Sequence, residues 1–169
     1  NLKNLIRFSS KKKSPISIRL VISNNTNATG IKYAKQKKIK TFHFANTKQS
    51  ENKILYLLAK KKIKFICLAG FMKILSYHFI NKFDGKIINI HPSLLPKYKG
   101  LNTHMRAIRN KEKFSGCTVH YVTSKLDSGK IILQKKVKIK LNDTEKTLRK
   151  KILKEEHKLY IEAIKKIFN

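Results

Sequence analysis

Cysteine is scarce: Cys67 and Cys117 stand 50 positions apart, and neither belongs to a C-x-x-C pair. That excludes a disulfide scaffold or a cysteine-built zinc site as the organising feature and suits a reducing compartment. Long apolar runs are missing as well, since the longest, residues 65–72, falls far short of the roughly 20 residues a membrane crossing needs. No apolar stretch follows a basic start, which argues against a secretory signal, so a cytoplasmic location is expected. Neither repeats nor linkers interrupt the 169 residues, and one domain is expected. No set of His, Asp or Glu has metal-ligand spacing, so no metal is expected either.

Acidic residues are the other shortage. Nine Asp and Glu face forty Lys and Arg, a net charge of +31. Such a charge suggests a polyanionic partner, nucleic acid first. Its distribution points elsewhere. Lysines cluster at residues 11–13, 37–40, 60–64, 135–140 and 146–154, on nearly every predicted element. No aromatic-rich RNA-binding sheet signature and no arginine tract accompany them. A solvated basic surface is favoured over a dedicated nucleic-acid site, and its field would still help to capture phosphorylated or carboxylated small molecules.

The 41% of hydrophobic residues suffices for a real core. Leu2, Leu5 and Ile6 have helical spacing. Ile16, Ile18, Leu20 and Ile22 alternate with polar neighbours as a strand does. The pattern then predicts a helix over 29–36, a strand over 40–44 and a helix over 50–61. Residues 63–69 read as a strand buried on both faces. A helix over 75–83 and a strand over 86–91 come next. This alternation indicates an α/β layer with a mostly parallel twisted sheet and helices on both faces. After a Pro-bounded loop over 92–100, a helix is expected over 103–110. Two β-rich stretches, 116–123 and 130–139, are expected to pair with each other. The last helix should span about 143–168, with Asn142 and Glu145 resembling a capping box and Leu148, Ile152, Leu159, Ala163 and Ile167 as its buried stripe.

The stretch Asn89-Ile90-His91-Pro92-Ser93-Leu94-Leu95-Pro96 is the most informative, although an Asn and a His at a strand end are by themselves more often hydrogen-bonded structure than a site. Asn89 and His91 are two apart on a predicted strand, so their side chains project to one side. They sit at its carboxyl end, where open α/β sheets place their ligands. Pro92 and Pro96 force the strand to give way to a shaped loop. Residues 69–75 (Ala-Gly-Phe-Met-Lys-Ile-Leu), 88–100, 116–123, the Leu126-Asp127-Ser128-Gly129 turn and 131–134 together resemble the formyltetrahydrofolate-using formyltransferases and hydrolases. Within that superfamily the similarity is greatest to the folate-dependent formyltransferases of purine synthesis, and it covers essentially the whole chain.

The resemblance implies a Rossmann-like formyltransferase fold and transfer of a formyl group from 10-formyltetrahydrofolate to the amine of phosphoribosylglycinamide, by a monomer or homodimer acting on small molecules. It gives Asn89, His91 and Asp127 the catalytic roles. The amide would stabilise an oxyanion, the imidazole would exchange protons, and the carboxylate would hold a proton relay. It further implies folate contacts from Met72, Lys73, Ile74 and Leu75 and from Val122, Thr123 and Asp127, with Asn89 shared. Nucleotide contacts would come from Asn1 and Glu156, while His104 and His120 would stand behind the pocket. Asn102 replaces the family's usual histidine. His43 and His78 belong to no motif.

One departure concerns the start. The family opens with a buried strand and a Ser-Gly-x-Gly-Ser-Asn loop that cradles the substrate phosphate, and Asn1 corresponds to the last residue of that loop. The expectation is an N-terminally truncated domain over residues 1–169, with weak activity as it stands and an uncovered sheet edge. Three other readings share parts of the pattern. A methionyl-tRNA formyltransferase would suit the charge, but its extra C-terminal domain is not seen. A formyltetrahydrofolate hydrolase has the same triad behind a regulatory domain. A basic nucleic-acid-binding protein on an inactive formyltransferase fold would not need Asn89, His91 and Asp127 together.

Overall fold

The computed structural model describes residues 1–44 and 48–169. Its elements alternate as the periodicity predicts. Helix α1 (Leu2–Ser9) turns Leu5, Ile6 and Phe8 inward. Strand β1 (Leu20–Ser23), helix α2 (Thr29–Gln36) and strand β2 (Lys40–His43) follow. Next come α3 (Lys48–Lys60), β3 (Phe65–Leu68), α4 (Tyr77–Lys82) and β4 (Lys86–His91). The second half holds α5 (Thr103–Arg109), β5 (Phe114–Tyr121), β6 (Ile131–Lys138) and α6 (Glu145–Phe168).

Among the described residues the strands form two sheets. β1 and β2 pair in parallel, and β3-β4-β5-β6 form the second sheet, with β3–β4 parallel and the other two pairs antiparallel. The expected β5–β6 pair is present, and β5 also runs antiparallel to β4. No hydrogen bonds join the two sheets, yet Leu20 and Ile22 of β1 share an apolar cluster with Ile66 and Leu68 of β3. That cluster is capped by Leu58 of α3 and Phe79 of α4. The opposite face is covered by α1, α5 and α6 through Leu5, Ala107, Leu148, Ile152 and Ala163. Helices therefore lie on both faces.

Three details differ from the sequence reading. The alternation over 16–23 yields a strand only at Leu20–Ser23, because residues 16–19 pack without ladder partners. All four residues of β3 are half-buried rather than buried. A continuous apolar run states that both faces are apolar but not how closely each is covered. The start of α6 is capped by Thr144, whose hydroxyl accepts from the Thr147 amide, and not by Asn142 and Glu145. Asp143 completes this start by accepting from the Thr147 hydroxyl and from Lys151, which holds its carboxyl down to about 2.

Of the predicted stripe of α6, Leu148, Ile152, Leu159 and Ala163 are buried and Ile167 is only half-buried, and Glu156, Tyr160 and Ile164 join it. Tyr160 is fully buried, and its hydroxyl reaches the carbonyls of Leu68 and Ile88, tying the end of β3 to the middle of β4. Ile152 is wholly enclosed. Ile152→Ala is expected to lower unfolding free energy by about 2–5 kcal/mol, read from the urea midpoint at constant slope. At the far side, β6 is the outer strand and exposes Lys135, Lys136 and Lys138.

Candidate active site

β4 ends in Asn89-Ile90-His91, and the pleat puts Asn89 and His91 on one side. Across the antiparallel pair, His120 stands opposite Asn89 and Thr118 opposite His91. Beyond β4 the backbone is fixed by Thr118. Its hydroxyl donates to the Ser93 carbonyl at 2.6 Å and accepts from the Leu95 amide at 3.1 Å. Gln134 reaches in from β6 to the same hydroxyl and to the Leu95 carbonyl. The loop that the prolines impose is thus held by buried polar bonds.

His91 is 5% exposed. Its Nε2 lies 2.8 Å from the Tyr98 carbonyl, and a carbonyl only accepts, so Nε2 carries a hydrogen. Nδ1 then faces Asp127 Oδ2 at 3.3 Å. An ionised carboxylate also only accepts, so this contact is favourable when one proton sits between the two groups. The ring and the acid can therefore hold a proton between them next to the strand end. Asp127 adopts a positive φ of 44° and accepts from the Gly100 amide at 2.9 Å. Its turn is packed so closely on β5 that a Cβ at Gly129 would lie 1.7 Å from the Tyr121 carbonyl oxygen. No residue but glycine fits there.

His120 flanks the acid from the other side. Its Nδ1 donates to the Tyr121 carbonyl, and Nε2 stands 3.7 Å from Asp127 Oδ1, buried and without a hydrogen bond. The Asn89 side chain makes no hydrogen bond among the described residues. An amide donor, an imidazole and a carboxylate therefore converge at one point, with the amide uncommitted.

The two segments expected to hold folate also meet. Leu75 and Val122 lie in one apolar cluster beside Leu68, while Met72, Lys73, Ile74 and Thr123 project outward. Met72 and Ile74 are large apolar side chains left 72% and 63% exposed. A residue the sequence reading passed over secures this region. Glu51 of α3 is buried, and its carboxylate accepts from the amide and the hydroxyl of Ser76 at the start of α4. An acidic residue inside a helix facing a chain this basic was the available signal.

On the α6 side, the Asn1 amide donates to Glu156 at 2.7 Å, so these two residues do come together. Asn1 Oδ1 and His104 Nε2 are buried without partners. Burial raises the Glu156 carboxyl against the opposing Asn1 bond, and it is electrostatically coupled to His91, as is His104. His43 and His78 lie away from this group, His78 bonding Asn52 at the surface. Among the described residues no cluster suited to a metal is present.

Burial also lowers His104 and His120, with Arg149 adding to the effect on His104. The unfolded chain gains these protons as pH falls through about 6.5, while the folded chain does so only lower, so their contribution to stability is lost as pH drops through that window. Glu156 acts in the opposite sense at more acidic pH, because its folded form binds a proton earlier than the unfolded form. The urea midpoint should therefore fall between about pH 7.5 and about pH 5.5, and His104→Asn should reduce that fall.

Known proteins resemble this chain over nearly its whole length. The formyl transferase family matches residues 1–164. The Haemophilus influenzae phosphoribosylglycinamide formyltransferase is 39% identical, over 98% of this chain and 80% of that protein. The human trifunctional purine biosynthetic protein adenosine-3 is also 39% identical, but the chain spans only 17% of its length. The crystal structure of phosphoribosylglycinamide formyltransferase from Anaplasma phagocytophilum superposes with a TM-score of 0.93 at 40% identity, covering 99% of this chain and 80% of that one. The chain belongs to the formyl transferase family, on its phosphoribosylglycinamide formyltransferase branch.

Proposed function

We propose that this chain transfers a formyl group from 10-formyltetrahydrofolate to the amine of 5-phosphoribosylglycinamide, a step in purine synthesis. The observation that supports it most is the His91–Asp127 contact of 3.3 Å beside the uncommitted Asn89 amide. The amine adds to the formyl carbon and a C–N bond forms. Charge gathers on the formyl oxygen, where a donor such as Asn89 lowers the barrier by about 3 kcal/mol. The amine gives up a proton to the His91–Asp127 pair, and the folate N10 takes one as its bond to carbon breaks. The donor's ring system would lie against Met72, Lys73, Ile74, Leu75, Val122 and Thr123, and the ribose against Asn1 and Glu156. The basic surface favours both anionic substrates.

The test is folate absorbance with phosphoribosylglycinamide as acceptor. It is run on the 169-residue chain and on the same chain with a strand and phosphate loop added ahead of Asn1. Deformylation that requires this acceptor supports the proposal. Loss of formyl without any acceptor assigns a hydrolase, and transfer only to methionyl-tRNA assigns that enzyme instead.

A further inference from the structure

The loop after β4 does two things at once. Its Tyr98 carbonyl takes the hydrogen of His91 Nε2, and its Gly100 amide donates to Asp127, at 2.8 and 2.9 Å. Two residues of one short segment therefore touch both members of the proton-sharing pair. Neither residue sits in an ordinary backbone region: Tyr98 has a φ of 56° and Gly100 of 77°. A tyrosine held in the left-handed region is unfavourable, so surrounding contacts must over-determine it.

Those contacts come from the end of α5 and the turn that follows it. The Tyr98 hydroxyl donates to Glu112 Oε1 at 2.8 Å and accepts from the Asn110 amide at 2.9 Å. Lys97 donates to the same Glu112 oxygen at 2.9 Å. Arg106 places its guanidinium 5.0 Å from the centre of the Tyr98 ring and donates to the Lys99 carbonyl at 2.7 Å. Glu112 is itself fixed, its amide donating to the Ala107 carbonyl at the end of α5. The bonds from Lys97 and then Tyr98 hold its carboxyl below the usual range, so it stays an acceptor. Acids are rare in this chain, and here one receives two successive loop residues.

We propose that Glu112, through the Tyr98 hydroxyl, is a positioning residue for the His91–Asp127 pair. It latches the 97–100 loop, so the Tyr98 carbonyl keeps His91 in the Nε2–H form with Nδ1 toward the acid. Neither Glu112 nor the Tyr98 ring touches the reacting atoms, and their effect reaches chemistry only through the loop backbone. A displacement of the imidazole by a fraction of an ångström weakens proton transfer without altering either substrate's binding surface.

The experiment reads the His91 ring directly, by nitrogen-resolved NMR of its Nε2 proton and tautomer. The same proteins are assayed for kcat and KM. Glu112→Ala and Tyr98→Phe should each speed solvent exchange of that proton and lower kcat by about tenfold, with KM little changed. Glu112→Gln keeps an oxygen acceptor and should stay near the parent in both readings. Lys64→Ala, which removes an exposed ion pair with Asp84 at the opposite end of β4, should change neither. An unchanged ring in both Glu112→Ala and Tyr98→Phe overturns the proposal whatever kcat does, as does a loosened ring with full kcat. The kinetic arm rests on the formyl-transfer reading, and the ring measurement does not. If the parent transfers no formyl group while the ring loosens in the variants, the latch stands and the reaction assignment falls.

Discussion

Replacing His91 with alanine is expected to lower the formyl-transfer rate by about 10²–10⁴-fold. Imidazole is the side chain best suited to passing a proton near neutral pH, and His91 presents one at the strand end. It is also nearly enclosed, with one nitrogen committed to the Tyr98 carbonyl and the other turned to Asp127. Water entering the space left by the ring would not reproduce that orientation. Folding should survive, because the neighbouring loop is held independently by Thr118, Ser93 and Gln134. The measurement is the initial rate at saturating substrates, with a thermal melt as the folding control. A variant that keeps its rate within a factor of about three would remove His91 from the chemistry.

Asp127→Asn should be nearly as damaging, by about 10²–10⁴-fold, for a different reason. The substituted amide still accepts from Gly100 through its oxygen, so the turn keeps its shape. Gly100 and His91 meet the same Asp127 oxygen, so the retained oxygen also faces His91 Nδ1, while the NH2 group turns to His120 Nε2. With Nε2–H already given to Tyr98, Nδ1 then faces a neutral oxygen, and the negative charge that would hold a proton between ring and acid is gone. Substrate binding should change little, so the loss should fall on kcat. Asp127→Ala gives the contrast, since it also frees the Gly100 amide and should lower thermal stability as well.

Much of this site was legible from side-chain type and order alone. Asn89 and His91 lie two apart on a strand, and the strand-end rule pointed to them before any geometry was known. Asp127 needed the family resemblance, because an acid before Ser128-Gly129 is otherwise an ordinary turn residue. Its contact with His91 depends on β4 and β5 pairing antiparallel, which local pattern does not dictate. The helices were the most readable elements, since a 3.6-residue stripe such as Leu148, Ile152 and Leu159 has few other uses. Tyr160 was not part of that predicted stripe, yet two strand carbonyls satisfy its hydroxyl inside the core. The capping error at α6 has a similar origin. Asn142 and Thr144 are both good caps in isolation, and only the reciprocal bond with Thr147 decides between them. Scarcity marks acids such as Glu51 and Glu112 in the sequence, but nothing in the order of residues says which distant loop each one meets.

The outermost strand has a consequence for how the protein behaves in a crowded solution. A bare β edge invites a second molecule to dock along it, but Lys135, Lys136 and Lys138 line this one, so an approaching copy would press ammonium against ammonium. That repulsion is purely ionic and shrinks with the Debye length. Ionic strength thereby becomes the dial between dispersed molecules and strand-to-strand clumping, and dilute buffer is the condition that keeps them apart.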